Sequence, residues 1–119
     1  MKIAVTSQGK DLDSDMDPKF GRAAYILIVD TETLEFEAFD NSENVNAFKG
    51  AGIQAASLVG NNGAKVLLTG HCGPKAYQTL DAVGIKVVND VMGTVRSAVK
   101  EFDYDKATFA TDPDVEPYS

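Results

Sequence analysis

Residues 65–74 have the sequence KVLLTGHCGP, and this stretch decides the class of fold. Residues 66–68 in its first half are consecutive apolar residues that do not alternate with polar ones. Such a run is typical of a strand buried on both faces in a parallel sheet. Gly70 and Gly73 predict a turn, and Pro74 predicts the first residue of a helix, because proline has no backbone N–H to lose at that position. A buried strand that passes through a tight turn into a helix indicates an α/β protein.

The flanking segments predict the rest of the sheet. Apolar or alternating runs predict further strands at residues 2–7, 24–30, 34–39 and 85–88. Apolar residues at helical spacing predict helices at residues 47–59, 74–83 and 94–102. The short link between the second and third strands predicts an antiparallel hairpin, with the third strand at the sheet edge. The order βββαβαβα then predicts a mixed five-stranded sheet with helices on both faces.

Composition and charge limit the class of protein. The chain has 119 residues, 44% of them hydrophobic, which suits one domain with a single core. The net charge of −7 argues against non-specific nucleic-acid binding, which needs a basic surface. No apolar run is long enough for a signal peptide or a membrane span, and the single Cys favours a reducing compartment. We therefore expect a cytoplasmic protein with no nucleic-acid or membrane partner.

The domain is expected to span residues 1–102. Residues 103–119 carry acidic residues, proline and aromatics without a period, and this predicts an acidic tail that is loosely packed or disordered. No repeat, linker or second domain is predicted.

Ligands of open α/β sheets bind beyond the carboxyl ends of the strands, and this rule selects the loops at residues 8–22, 40–50 and 70–74. In the last of these, the amides and dipole at the helix start favour an anion or a thiolate. Cys72 is a candidate soft metal ligand or nucleophile, and His71 offers an imidazole nitrogen. A buried structural Cys beside a hydrogen-bonded His is an equally weighted alternative.

Two other motifs match known sites incompletely. Aspartates alternate with other residues between positions 11 and 17, as at the start of a calcium loop. Met16 and Arg22 stand where that loop requires Gly and Glu, so a solvated acidic loop is the better interpretation. Residues 50–55 match the G-x-G-x-x-A dinucleotide pattern, but a polar loop precedes them instead of a strand. Their glycines still allow a ligand or another backbone segment to approach closely.

Candidate anion-binding residues lie around the same three loops. Arg22 supplies a fork of donors suited to an anion, and Phe20 an apolar wall, although a surface Arg and a core Phe would look the same in the sequence. Lys49 and Lys75 carry the same two interpretations. Thiol catalysis finds little support, since there is no C-x-x-C and His71 directly adjoins Cys72.

The chain resembles the dinitrogenase iron-molybdenum cofactor biosynthesis family over about residues 1–102. The resemblance rests on the segments MKIAVTSQG at 1–9, FGRA at 20–23, GAGIQAA at 50–56, TGHCGPKA at 69–76 and GTV at 93–95. It implies a three-layer α/β/α sandwich with a ribonuclease H-like motif. This family includes nitrogenase cofactor carriers and the orange protein, which binds a molybdenum–copper sulfide cluster non-covalently.

The resemblance implies a small carrier or storage protein, and not an enzyme, for an anionic metal–sulfur cluster or its precursor. The metal would be molybdenum, iron or copper, and the partners would be cluster donor and acceptor proteins. The predicted cofactor-binding residues are Phe20, Gly21, Arg22, Lys49, Gly50, Gly52, Gly70, Gly73 and Lys75. Cys72 and His71 are the predicted metal ligands. The alternatives are a metal-free interaction module that acts through its acidic surface and tail, and a thiol enzyme that uses Cys72.

Overall fold

The computed structural model describes residues 1–42 and 50–111, which form five strands and three helices. In chain order these are β1 (Lys2–Ser7), β2 (Tyr25–Asp30), β3 (Phe36–Asp40), α1 (Ala51–Asn61), β4 (Val66–Leu68), α2 (Pro74–Ala82), β5 (Lys86–Val88) and α3 (Val95–Glu101). The predicted order of elements is confirmed, and residues 47–49 of the first predicted helix lie outside the described residues. None of the helices in the described ranges is long and apolar enough to cross a membrane.

The sheet has the strand order β3-β2-β1-β4-β5. β1 is antiparallel to β2 and parallel to β4, while β5 continues the parallel half and β3 the antiparallel half. The prediction of a mixed five-stranded sheet with β3 at an edge is therefore confirmed. Since β1, β4 and β5 are parallel, their carboxyl ends lie at one edge of the sheet, where β2 begins and β3 ends.

Both faces of the sheet are covered, which gives the three layers of an α/β/α sandwich. Successive strand residues alternate between two hydrophobic clusters, so that Leu67 packs on one face and Leu68 on the other. The first cluster includes buried residues of α1 and α2, and the second includes buried residues of α3. The expected helices on both faces are thus present.

Residues 103–111 of the predicted tail lie against β5. The backbone N–H of Ala110 donates to the carbonyl oxygen of Val87 at 2.8 Å, and Tyr77 Oη donates to the carbonyl oxygen of Ala110 at 3.2 Å. Lys86 Nζ lies 5.3 Å from the centre of the Phe109 ring. Residues 112–119 of the tail lie outside the described residues, and the division of the chain at residue 102 stays a prediction.

The aspartates between positions 11 and 17 hold the long loop after β1 in place. Asp17 accepts hydrogen bonds from the backbone N–H groups of Lys19 and Ala24, at 3.2 and 3.3 Å. Asp13 forms a salt bridge with Arg96 of α3, with 2.8 Å between Oδ1 and Nε. Across residues 1–42 and 50–111, no three His, Cys, Asp or Glu side chains are grouped so that they could hold a metal ion.

The Asp13–Arg96 pair predicts a pH-dependent contribution to stability. The hydrogen bond from Arg96, together with its charge, lowers the pKa of Asp13 below its ordinary value. The native state therefore favours the ionised carboxyl, so the contribution is present above the ordinary aspartate pKa and is lost as the pH falls through the lowered pKa. We expect Asp13→Asn to lower the urea midpoint at about pH 7, and the difference from wild type to shrink below about pH 4.

Circular dichroism would follow the unfolding, because the chain has no Trp. Arg96→Gln is the matched control and should reproduce the effect, with no further loss in the double variant. A difference between wild type and Asp13→Asn that stays constant from pH 7 to pH 3 would contradict this account.

Candidate functional site

The loop after β1 and the turn after β4 are in direct backbone contact at the carboxyl edge of the sheet. The N–H of Phe20 donates to the carbonyl oxygen of His71 at 3.0 Å. A Cβ atom on Gly70 would lie only 2.7 Å from the carbonyl oxygen of Pro18, so a larger residue at position 70 would push the two segments apart. Gly70, a predicted site residue, therefore allows the two backbone segments to pack closely together.

The starts of α1 and α2 lie side by side at the same edge. A Cβ atom on Gly52 would lie 2.9 Å from the Cβ of Ala76, and one on Gly21 would lie 3.0 Å from the Cα of Gly52. The sequence left open whether the glycines at 50–52 make room for a ligand or for another chain segment. At Gly52 the structure shows another chain segment in that space. Gly50 precedes α1 with a φ of 78°, which favours glycine.

A cleft of about 430 Å³ opens between these segments. Its lining includes three cationic side chains, Lys19, Arg22 and Lys75, all of them exposed. The other lining residues are at positions 20–21, 51–52, 71, 73–74 and 76, and no carboxylate is among the described residues that line it. The cleft therefore concentrates positive charge in a chain whose net charge is −7.

Two helix dipoles add to this charge. The residues before α1 and α2 are Gly50 and Gly73, which have no side chain to cap the first N–H groups, and neither helix has an acidic residue in its first turn. α3 differs, because Thr94 Oγ1 accepts a hydrogen bond from the N–H of Ser97. The ends of α1 and α2 that line the cleft are thus the positive ends of two helices without side-chain caps.

A second cleft of about 500 Å³ adjoins the first, and Lys19 and His71 line both. Its other wall is the loop between β5 and α3, which includes Asp90 and Met92. Met92 is 81% exposed, which is unusual for a large apolar side chain. Neither this loop nor Lys19 was predicted from the sequence. The carboxyl-edge rule would have selected the loop, and Lys19 directly precedes the Phe20-Gly21-Arg22 motif.

His71 and Cys72 lie on opposite sides of the turn. His71 is half-buried and lines the clefts, whereas Cys72 is fully buried in the core that α1 and α2 share with the sheet. Cys72 Sγ lies 3.8 Å from the carbonyl oxygen of Gly73. Metal ligation by Cys72 or His71 stays a prediction, and for Cys72 it would require the thiol to leave the core.

The remaining predicted residues divide into three groups. Arg22, Gly73 and Lys75 line the first cleft, and their contact with a ligand stays a prediction. Phe20 also lines it while being 1% exposed, so it is both a core residue and a wall. Lys49 lies outside the described residues.

The contact between Gly52 and Ala76 predicts different effects of the same substitution at two positions in α1. Gly52→Ala should lower the free energy of unfolding by about 1–3 kcal/mol, because the new methyl group would overlap Ala76. Gly60→Ala is the matched control, since a Cβ there would make its closest contact at 3.6 Å. This control should be neutral or stabilising by about 0.5–1 kcal/mol. Urea unfolding would measure both, and equal effects would contradict the proposed packing role of Gly52.

Comparison with known proteins identifies the family. Residues 1–104 match the family described as dinitrogenase iron-molybdenum cofactor. An uncharacterized protein of Methanocaldococcus jannaschii is 32% identical over 104 residues, covering 86% of this chain and 85% of that protein. The apo form of the orange protein from Desulfovibrio gigas is 48% identical with a TM-score of 0.88, and 94% of each chain is covered. A Thermotoga protein solved by NMR is 31% identical with a TM-score of 0.76, and 91% of each chain is covered. This chain therefore belongs to the dinitrogenase iron-molybdenum cofactor family.

Proposed function

We propose that this protein is a small carrier or storage protein that binds an anionic metal–sulfur cluster, or its precursor, in the cationic cleft. The observation that carries the proposal is the cleft's charge: three cations and the positive ends of two helices, with no carboxylate among the described lining residues. Membership of the family supports this cargo. The similarity to the orange protein supports it further.

The chemistry of the cleft suits an anion whose charge is spread over several sulfur atoms. Arg22 offers several N–H donors in one plane, and Lys75 and Lys19 offer compact charges around it. The N–H groups in the first turns of α1 and α2, other than at Pro74, which has none, add donors that need no side-chain rearrangement. Direct coordination of iron or copper by the half-buried imidazole of His71 is part of our proposal, and because its Nε2 is buried, the ring would have to present Nδ1 or turn toward the cleft.

Reconstitution without air tests the proposal. The protein should form a coloured one-to-one complex with tetrathiomolybdate plus copper, or with iron plus sulfide, as followed by absorption titration and metal analysis. Arg22→Ala and Lys75→Ala should each weaken binding by about tenfold, since each removes a charge at the ligand. Binding should also weaken as the salt concentration rises.

Lys65→Ala is the matched control, because Lys65 is exposed, precedes β4 and lines neither cleft. Its binding should stay within about twofold of wild type. A protein that stays colourless under all these conditions would rule out the carrier function and leave the metal-free interaction module as the better hypothesis.

The buried position of Cys72 predicts the outcome of its removal. We expect Cys72→Ala to lower the free energy of unfolding by about 1–2 kcal/mol through the lost core contacts, and to leave the affinity for the cluster within about twofold. Cys72→Ser adds a buried hydroxyl and should destabilise further, again with little effect on affinity. Loss of the coloured complex in both variants at temperatures where both are folded would instead show that the thiol coordinates the metal.

A further inference from the structure

Asn41 is a fully buried polar residue directly after β3, and none of the motifs in the sequence includes it. Its backbone N–H donates to the carbonyl oxygen of Ala24 at 3.0 Å, which extends the pairing of β3 with β2 beyond Tyr25 and Asp40. Asn41 is therefore held at the carboxyl edge of the sheet by the sheet itself.

The side chain of Asn41 contacts the loop that carries Arg22. Asn41 Nδ2 lies 2.9 Å from the carbonyl oxygen of Ala23 and 3.3 Å from that of Gly21. Both neighbours are acceptors, so the NH₂ group must face them, and it has two hydrogens to donate. One side chain thus hydrogen-bonds to the residues on both sides of Arg22.

These two bonds fix the backbone around Arg22. Each bonded carbonyl belongs to a planar peptide group, one between Gly21 and Arg22 and the other directly after Ala23. Arg22 therefore lies between two peptide groups that Asn41 holds in place. Fixing them limits the directions in which the Arg22 side chain can leave the loop. The exposed Arg22 side chain keeps its rotamer freedom, so Asn41 contributes the position of the Arg22 backbone and the direction of its Cα–Cβ bond.

No other residue of similar size would make both bonds. Aspartate presents only acceptors when ionised, and leucine has no polar atom, so either would leave the two carbonyl oxygens without these donors. The same argument explains why a buried amide is tolerated at this position, since its NH₂ group is satisfied twice.

We propose that Asn41 is a positioning residue for Arg22, which directs the Arg22 side chain toward the cleft for anion binding. This inference rests on the proposed function, because it requires Arg22 to contact the cargo. It assigns Asn41 no contact with the ligand. Its effect on binding must therefore act through Arg22 and disappear when Arg22 is removed.

A double-mutant cycle with tetrathiomolybdate plus copper as the probe tests this. Asn41→Leu should weaken binding by about three- to tenfold in the wild-type background, since two hydrogen bonds are lost and no charge is added. In the Arg22→Ala background the same substitution should change the affinity by less than about twofold. Lys75→Ala is the control background, because Lys75 lies on α2, and there the full loss from Asn41→Leu should persist.

A general structural role for Asn41 would instead reduce affinity equally in all three backgrounds, and this result would overturn the proposal. Affinities would be measured only at temperatures where circular dichroism shows each variant folded. Asn41→Ala and Asn41→Ser replace Asn41→Leu if that variant does not fold, and the same pattern is expected of them. An unchanged affinity in Asn41 variants, with wild type binding normally, overturns the positioning role alone. Failure of wild type to bind overturns the proposed function.

Discussion

The parallel pairing of β1 with β4 is the constraint on which the site depends. The register aligns Val5 with Leu68, so that Thr6 and Thr69 follow side by side and their hydroxyl oxygens lie 3.1 Å apart in the interior. Thr6 Oγ1 also donates to the carbonyl oxygen of Asp17 at 2.6 Å, which ties the loop after β1 to both strands. One of these bonds is buried and the other partly buried, and together they hold the two loops beside each other. The cleft forms between the segments that this arrangement joins.

A negatively charged chain can bind an anion if its cations are local. Attraction between charges falls off with distance, and the screening length is about 8 Å at physiological ionic strength. Arg22, Lys19 and Lys75 line the same cleft, whereas Asp13 is already paired with Arg96. Under the proposed function, the cleft's own cations, and not the net charge of −7, would determine which ligand is favoured there.

The elements and the class of the fold could be predicted because their determinants are local in the sequence, whereas the strand order, with β1 beside β4, was not predicted. The buried strand before Gly70 and the proline that begins α2 indicated the α/β class, and the short β2–β3 link indicated the antiparallel edge. The convergence of Arg22 and Lys75 on one cleft followed from the rule that ligands bind at the carboxyl edge. Lys19 and Asn41 also lie in loops that this rule selects, but no motif singled them out, because their contacts depend on which residues lie opposite them after folding.

In the turn at residues 70–73, the sequence could not show that the Cys72 thiol and the His71 imidazole lie on different sides. Two adjacent residues in an extended or turning backbone point to different sides, so one can enter the core while the other lines the surface. The space beneath the turn belongs to the core between the sheet and the helices α1 and α2, and there Cys72 packs as a small apolar residue. His71 is left at the boundary between the two clefts. The turn thus joins the core to the cleft, and the main expected effect of a substitution at Cys72 is a lower free energy of unfolding.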